Sequence, residues 1–436
     1  MPAGEQTGKL TTRLRRLVDV QPGELAALSW AFVYFFSLLC SYYIIRPMRD
    51  EMGIAGGVEN LQWLFTGTFL VMLAAVPLFG WVSSRFERRR LLPIVYWFFI
   101  ANLLVFFVLF QSELTHAWIA RAFFIWASVF NLFVVSVFWS FMADIFNNEQ
   151  ARRLFGVIAA GGTSGAICGP LLTAALAQSL GPTRLLPVSA ALLGVALVCI
   201  ERLSAWRSRQ GAAGTSPAAA EQAIGGSVFG GIRLVLRSPY LLGICVLMLL
   251  FTTLATFLYF QQAQIVRDSF SDPAQRTAVF AGIDLAVNIL TLVFQVLLTG
   301  RLVKWLGLGW TLALVPLLLG AGFLVLGLAP VLAVLVVVQV LRRAGNYAIM
   351  RPAREMLYVV LGREEKYKAK NFIDTVVYRS GDAVSAWAYA GLRAMGLSLS
   401  TIAFIAVPLA VVWAGVAFRL GRAQTRLAQT VPAARV

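Results

Sequence analysis

From residue 25 to residue 420 the chain is a succession of apolar stretches, most of them about twenty residues long, separated by short polar segments. A helix needs about 20 consecutive apolar residues to cross a hydrocarbon core about 30 Å thick. Hydrophobic residues make up 59% of the chain and charged residues 13%, against about a quarter charged in a soluble domain. The class is a polytopic helical membrane protein, all-α, with the lipid bilayer as its main partner. Twelve spans are predicted, at 25–46, 60–83, 91–111, 117–143, 154–179, 184–204, 239–265, 277–300, 309–328, 330–357, 368–392 and 398–420. Residues 1–24 are polar and the first apolar run is long enough to stay as an anchor, so no cleavable signal peptide is expected.

The net charge of +17 does not point to nucleic acid, because the basic residues sit between the apolar runs. Assigned alternately to two sides, the tails, loops and adjoining span ends carry 26 Lys and Arg on the side of both termini and 6 on the other, and the remaining 5 are counted within spans. Basic residues are retained on the cytoplasmic side, so both termini are expected in the cytoplasm, with the chain in a bacterial inner membrane. The basic segment 9–16 (KLTTRLRR) is expected on the cytoplasmic membrane surface. The four cysteines, Cys40, Cys168, Cys199 and Cys245, all lie in apolar segments and read as packing residues. His116 is the single histidine, so no histidine metal cluster is expected; no cofactor is expected either.

The two halves of the chain resemble each other. Arg49-Asp50 ends the first span, and Arg267-Asp268 follows the seventh. GWVSSRFERRR, from Gly80, follows the second, and GRLVKWLGLG, from Gly300, follows the eighth. The division expected is a basic cytoplasmic segment 1–24, a six-helix bundle 25–205, a Gly/Ala/Ser-rich cytoplasmic linker 206–237, a second six-helix bundle 238–421 and a cytoplasmic tail 422–436. Gly80, Arg85, Arg88 and Arg89 resemble the cytoplasmic loop motif of the major facilitator superfamily, G-x-x-x-D-R-x-G-R-R, with Ser84 and Glu87 departing from it. The second copy keeps Gly300 and Gly307. The resemblance implies two pseudo-symmetric six-helix bundles and a conformational role for the loop. In the fifth span Gly161, Gly165 and Gly169 recur every four residues and share one face, a spacing that allows close helix approach. With Pro170 the last two also resemble the superfamily's antiporter motif, G-x-x-x-G-P, although a packing seam is the favoured reading.

Charged residues at membrane depth carry the functional reading. Arg46, Arg49 and Asp50 close the first span, with Arg46 and Arg49 on one helical face and Pro47 between them. Arg342 lies twelve residues into the tenth span, roughly 18 Å deep at 1.5 Å per residue. Arg379 is comparably deep in the eleventh. A charge at such a depth costs about 2.5–3.5 kcal/mol even on the lenient insertion scale, so it should face a cavity or a partner. The intramembrane acids are Asp284, Asp374 and Asp382. Asp382 is three residues from Arg379 and able to pair with it. Asp284 is placed to pair with an arginine of the tenth span. Arg343 and Arg351 also fall inside the tenth span, with the interface or cytoplasm as the alternative place for their side chains. Arginine outnumbers acid here, and guanidinium suits carboxylate and phosphate. The substrate candidates are therefore Arg46, Arg49, Arg342 and Arg379, with Asp50, Asp284, Asp374 and Asp382 in coupling or charge balance.

The segments SYYIIRPMRDEMG, FWSFMADIFNNEQARRLFGVIAAGG and KYKAKNFIDTVVYRSGD resemble the ATP/ADP translocase family of nucleotide transporters, in its distant free-living bacterial branch. The resemblance implies a nucleotide exchanger, or a proton-driven nucleotide importer, that works through charged residues inside the bundles. Arg49 stands at the family's usual lysine, Asn131 at its fourth-helix glutamate and Asp382 at its eleventh-helix lysine. A carboxylate in place of an ammonium repels a triphosphate.

No G-x-x-x-x-G-K-[ST] phosphate loop occurs. The expectation is a non-enzymatic secondary transporter working by alternating access, with a small anionic solute bound near midplane and protons as the candidate coupling ion. The rival readings are a proton-coupled exporter of apolar or cationic compounds and a membrane assembly protein that transports nothing.

Overall fold

The computed structural model describes residues 20–430 apart from 22, 86–87, 113–115 and 211–229. Every regular element among the described residues is helical. The first half of the sequence forms α1 (Leu25–Ala55), α2 (Leu61–Arg85), α3 (Arg88–Leu109), α4 (His116–Ile145), α5 (Asn148–Leu180) and α6 (Leu185–Gln210). The second half begins with α7 (Gly230–Arg237), α8 (Pro239–Ser269), α9 (Pro273–Phe294), α10 (Gly300–Leu328) and α11 (Leu332–Gly345). It ends with α12 (Arg351–Leu357), α13 (Arg363–Phe372), α14 (Tyr378–Ala394) and α15 (Leu399–Thr430). Widened π turns at Gln295–Thr299, Asn346–Met350 and Ile373–Val377 join α9 to α10, α11 to α12 and α13 to α14.

Nine helical runs among the described residues are long and apolar enough to cross a membrane by length and composition. One of them, Pro273–Leu328, contains both of the predicted spans 277–300 and 309–328. It bends at Gly307, whose φ of +72° is open to glycine and strained for other residues.

Two expectations about local structure change. The first span does not stop near Arg46: α1 continues through Pro47 to Ala55. The ring fixes φ near the helical value, and in apolar surroundings the helix remains the best way to satisfy the remaining backbone. Arg49 therefore lies six residues, about 9 Å, inside the helix end. The stretch 206–237 starts as a continuation of α6 and ends as the short amphipathic α7, which packs on α13, and its middle lies outside the described residues. The basic segment 9–16 also lies outside them, as do Phe86 and Glu87 of the loop motif. Gly80 and Arg85 belong to α2, while Arg88 and Arg89 open α3.

The chain forms two compact units. The first comprises Met1–Met52, Ala74–Ser216 and Pro273–Gly282, and the second Gly53–Leu73, Pro217–Asp272 and Ile283–Val436. Each takes in one segment from the other half of the sequence. Pro273–Gly282 is tied into the first unit by an ion pair between Arg276 and Glu51 at 2.8 Å. Gly53–Leu73 is tied into the second by Glu59–Arg267 at 2.6 Å, by Trp63 edge-on to Trp387, and by the Trp387 indole N–H donating to Thr66 at 3.0 Å.

In the first unit the glycines of α5 lie against the backbone of α1. A Cβ at Gly161 would stand 2.6 Å from Phe32 O, one at Gly165 2.2 Å from Phe36 O, and one at Gly169 2.7 Å from Cys40 O. α5 starts with a capping box: the Asn147 side chain accepts from the Gln150 N–H, and the Gln150 side chain accepts from the Asn147 N–H. The same Gln150 donates to buried Glu24 at 2.9 Å, and Arg153 donates to both Glu24 oxygens at 3.1 Å. Burial alone would raise the Glu24 pKa; the bonds from Arg153, the Gln21 backbone and Gln150 outweigh it and hold the carboxyl below its usual 4.5. The core is aromatic: Phe35 stacks on Phe138 at 4.1 Å, and the Tyr34 and Tyr96 hydroxyls meet at 2.6 Å. In the second unit α10 and α15 form the tightest pair, with a Cβ on Gly421 meeting the Gly309 backbone at 2.4 Å. Gly381 does the same for α14 and α8: a Cβ there would lie 2.4 Å from the Thr252 hydroxyl.

Two outcomes follow from this packing. Gly165→Ala forces backbone apart and should cost at least the roughly 1–3 kcal/mol of overpacking. Gly156→Ala, with nothing within 4 Å, should gain up to about 1 kcal/mol of helix propensity. Thermal unfolding of the purified protein reads both. Because the Glu24 pKa is depressed on folding, its stabilisation is full above 4.5 and lost as pH falls through the folded value. Glu24→Gln should therefore be less stable than wild type at pH 7, with the gap closing below pH 4.5.

Candidate functional site

On α11, Gln339, Arg342 and Arg343 are three and four residues apart, which puts them on adjoining parts of one helical face. Gln339 interrupts an otherwise apolar run, VLVVVQV, and is 2% exposed. Its side-chain N–H donates to the Gln262 amide oxygen of α8, which is equally buried. Its own oxygen accepts from Arg342 Nε at 3.0 Å. The Gln262–Gln339 pair of amides thus holds the Arg342 guanidinium at a set position.

Arg343 is 6% exposed and meets Asp284 of α9, 1% exposed, at 2.6 Å. Of the two places open to Arg343, it takes the interior rather than the interface or cytoplasm. The contact also decides which arginine of this helix takes Asp284. Both groups are withdrawn from water, where removing one partner leaves an uncompensated buried charge.

Arg379 and Asp382, one turn apart on α14, approach to 3.6 Å, and the Arg379 guanidinium stands 5.3 Å from the centre of the Tyr378 ring. Tyr378 lies within Coulombic reach of Arg342, Arg379, Asp382 and Tyr347, so the fold brings Arg342 and the Arg379–Asp382 pair around one tyrosine. The π turn Asn346–Met350 follows Arg342 within one turn, and Ile373–Val377 ends just before Tyr378. Such turns shift side-chain register and loosen the carbonyl ladder. Thr299 compensates in part by donating to Ala348 O, inside one of them, at 2.7 Å.

Asp374 sits elsewhere. It lies in the π turn after α13 and faces Arg354 of α12 at 3.4 Å. Lys370 and Glu355 pair beside it at 2.5 Å, and Tyr240 donates to Leu357 O at 2.7 Å. Arg354 and Lys370, counted above as orientation signals, thus also clamp α12 to α13.

In the first unit Arg49 pairs with Asp50 at 2.6 Å and stacks 5.0 Å from the centre of Phe124, while Arg46 lies over Tyr43 at 5.7 Å. Sequence reasoning passed over Glu51, which is fully buried on Arg276. Its signal was present: a third consecutive charge after Arg49-Asp50, on the α1 face opposite Arg49. Gln262 and Gln339 were passed over as well; amides inside apolar runs are the signal that finds them.

The sequence that forms these helices matches a known family. The Major Facilitator Superfamily model matches residues 25–359. The chain belongs to the Major Facilitator Superfamily. ADP,ATP carrier protein 2 of Chlamydia pneumoniae is similar at 22% identity, over 94% of this chain and 91% of its own. This agrees with the resemblance read from the sequence. Among solved structures, the nucleoside transporter NupG superposes with a TM-score of 0.61 at 12% identity, covering 94% of this chain and 100% of that one. The POT family transporter PepTSo gives 0.63 at 14%, covering 92% and 98%. The superfamily fold is thus shared across the chain, and the protein is a multi-pass membrane transporter.

The buried Arg343–Asp284 pair allows a direct check. Arg343→Met or Asp284→Leu alone should destabilise by about 3–5 kcal/mol, whereas the double variant should recover most of the loss. Thermal unfolding of the four proteins in one detergent measures the coupling.

Proposed function

We propose that the protein is a secondary transporter that moves a small organic anion by alternating access, and that Arg342 and Arg379 bind the anion. The observation carrying this is the grouping of Arg342 with Arg379 and Asp382 around Tyr378, while Asp284 already neutralises Arg343. Arg342 and Arg379 bring two guanidinium groups, suited to carboxylate or phosphate, to that neighbourhood. Arg46 and Arg49 are further cations for the same task. Asp382 and Asp50, each next to an arginine, serve in charge balance or proton coupling. The names of two similar proteins, an ADP,ATP carrier and a nucleoside transporter, support a nucleotide among the candidates. Asp382 stands against a triphosphate, so a less charged nucleotide, another phosphorylated metabolite or an organic acid is favoured. The 26-to-6 asymmetry of basic residues supports a bacterial inner membrane with both termini cytoplasmic.

Purified protein in liposomes, screened for uptake and counter-exchange of labelled anions, tests this reading. Arg342→Gln should lower transport roughly tenfold to a hundredfold, the worth of a charge-assisted hydrogen bond, with unfolding temperature unchanged. If folded protein accumulates no anion, the reading fails. Transport of cationic compounds, lost in Asp382→Asn and kept in Arg342→Gln, would put a proton-coupled exporter in its place.

A further inference from the structure

The crossing of α10 and α15 leaves a groove of about 410 Å³ that the transport reading does not use. Its walls are Leu306, Trp310, Phe418, Arg422, Thr425 and Arg426. Gly421 lies directly on the Gly309 backbone, so the floor is main chain. Gly307, with its φ of +72°, turns the chain into the wall that carries Trp310.

We infer that this groove binds the phosphate headgroup of an anionic phospholipid. The Arg422 guanidinium lies 4.4 Å from the centre of the Phe418 ring, and Trp310 packs on the same ring at 4.8 Å. Stacking holds one face of the guanidinium and leaves its N–H edge for the two-oxygen contact that phosphate offers. Arg426 stands one turn further along α15 and lines the groove with Thr425. Trp305 and Trp310 are 68% and 54% exposed, and tryptophan concentrates at the headgroup level of a bilayer. Leu306 is also exposed, next to the groove, a surface for an acyl chain. Basic pockets between transmembrane helices suit acidic lipid headgroups. The charge is positive, the volume suits a headgroup, and the apolar rim continues onto a lipid-facing helix. Free phosphate shares only the first of these features, which is why the lipid is the occupant.

The full-length protein in nanodiscs of mixed phosphatidylglycerol and phosphatidylcholine, followed by native mass spectrometry, gives the test. Wild type should retain phosphatidylglycerol over phosphatidylcholine and unfold at a higher temperature as the anionic fraction rises. Arg422→Gln/Arg426→Gln should weaken retention about tenfold to thirtyfold, from about 1 kcal/mol per arginine at an anionic surface. Arg422→Lys/Arg426→Lys keeps the charge and should restore part of it, which separates binding from misfolding. Arg233→Gln/Arg237→Gln on α7 should leave retention unchanged. Equal retention of both lipids, equal loss in the α7 variant, or full replacement by inorganic phosphate in detergent would overturn the proposal.

Discussion

A charge inside a membrane protein must find its counter-charge within the protein, because the lipid offers none. Four pairs among the described residues meet the condition. Arg343 takes Asp284, Arg276 takes Glu51, Arg354 takes Asp374 and Arg379 leans on Asp382. Each pair joins helices or successive turns, so the cancellation of charge is also what sets helix position. The polar network Arg342–Gln339–Gln262 extends the same logic with amides. There an arginine is held in a set position, a condition that a substrate-binding cation requires.

Helix contact in lipid rests on fit, since apolar tails give no hydrophobic drive between helices. The two units reach that fit in the same way. Gly161, Gly165 and Gly169 admit the α1 backbone in the first, and Gly309 with Gly421 brings α10 and α15 together in the second. Gly381 does this for α14 and α8 close to Arg379, so the packing residue and the candidate binding residue share one short motif. The three π turns among the described residues all fall in the second half of the sequence. Two of them flank Arg342 and Arg379, where a shift of register decides which way a long side chain points.

The fold was largely legible in the sequence. Run length and hydropathy are local properties, and the bilayer makes them decisive, because backbone groups in hydrocarbon have few ways to be satisfied. The helical membrane class and the superfamily membership follow from these together with motif residues such as Gly80 and Arg85. The site was legible only as a set of residue types at depth. That Arg342, Arg379 and Asp382 belong near one another could be suspected from span order, and the i, i+3 spacing of Arg379 and Asp382 allowed their contact. Glu51 and Arg276, 225 positions apart, gave no local sign of pairing.

By itself, then, the sequence determined a polytopic helical protein of this superfamily, with charged residues inside its apolar runs. Only the tertiary structure decided which arginine each carboxylate neutralises, which amides hold Arg342, and where three helices widen into π turns. The physical reason is the reach of the forces. Hydropathy and helix formation act over a few residues, whereas ion pairing in a low dielectric depends on which faces of distant helices are turned toward each other. Arg342 and Arg343 show this most plainly: they are neighbours in sequence, yet one is locked to Asp284 and the other held by an amide.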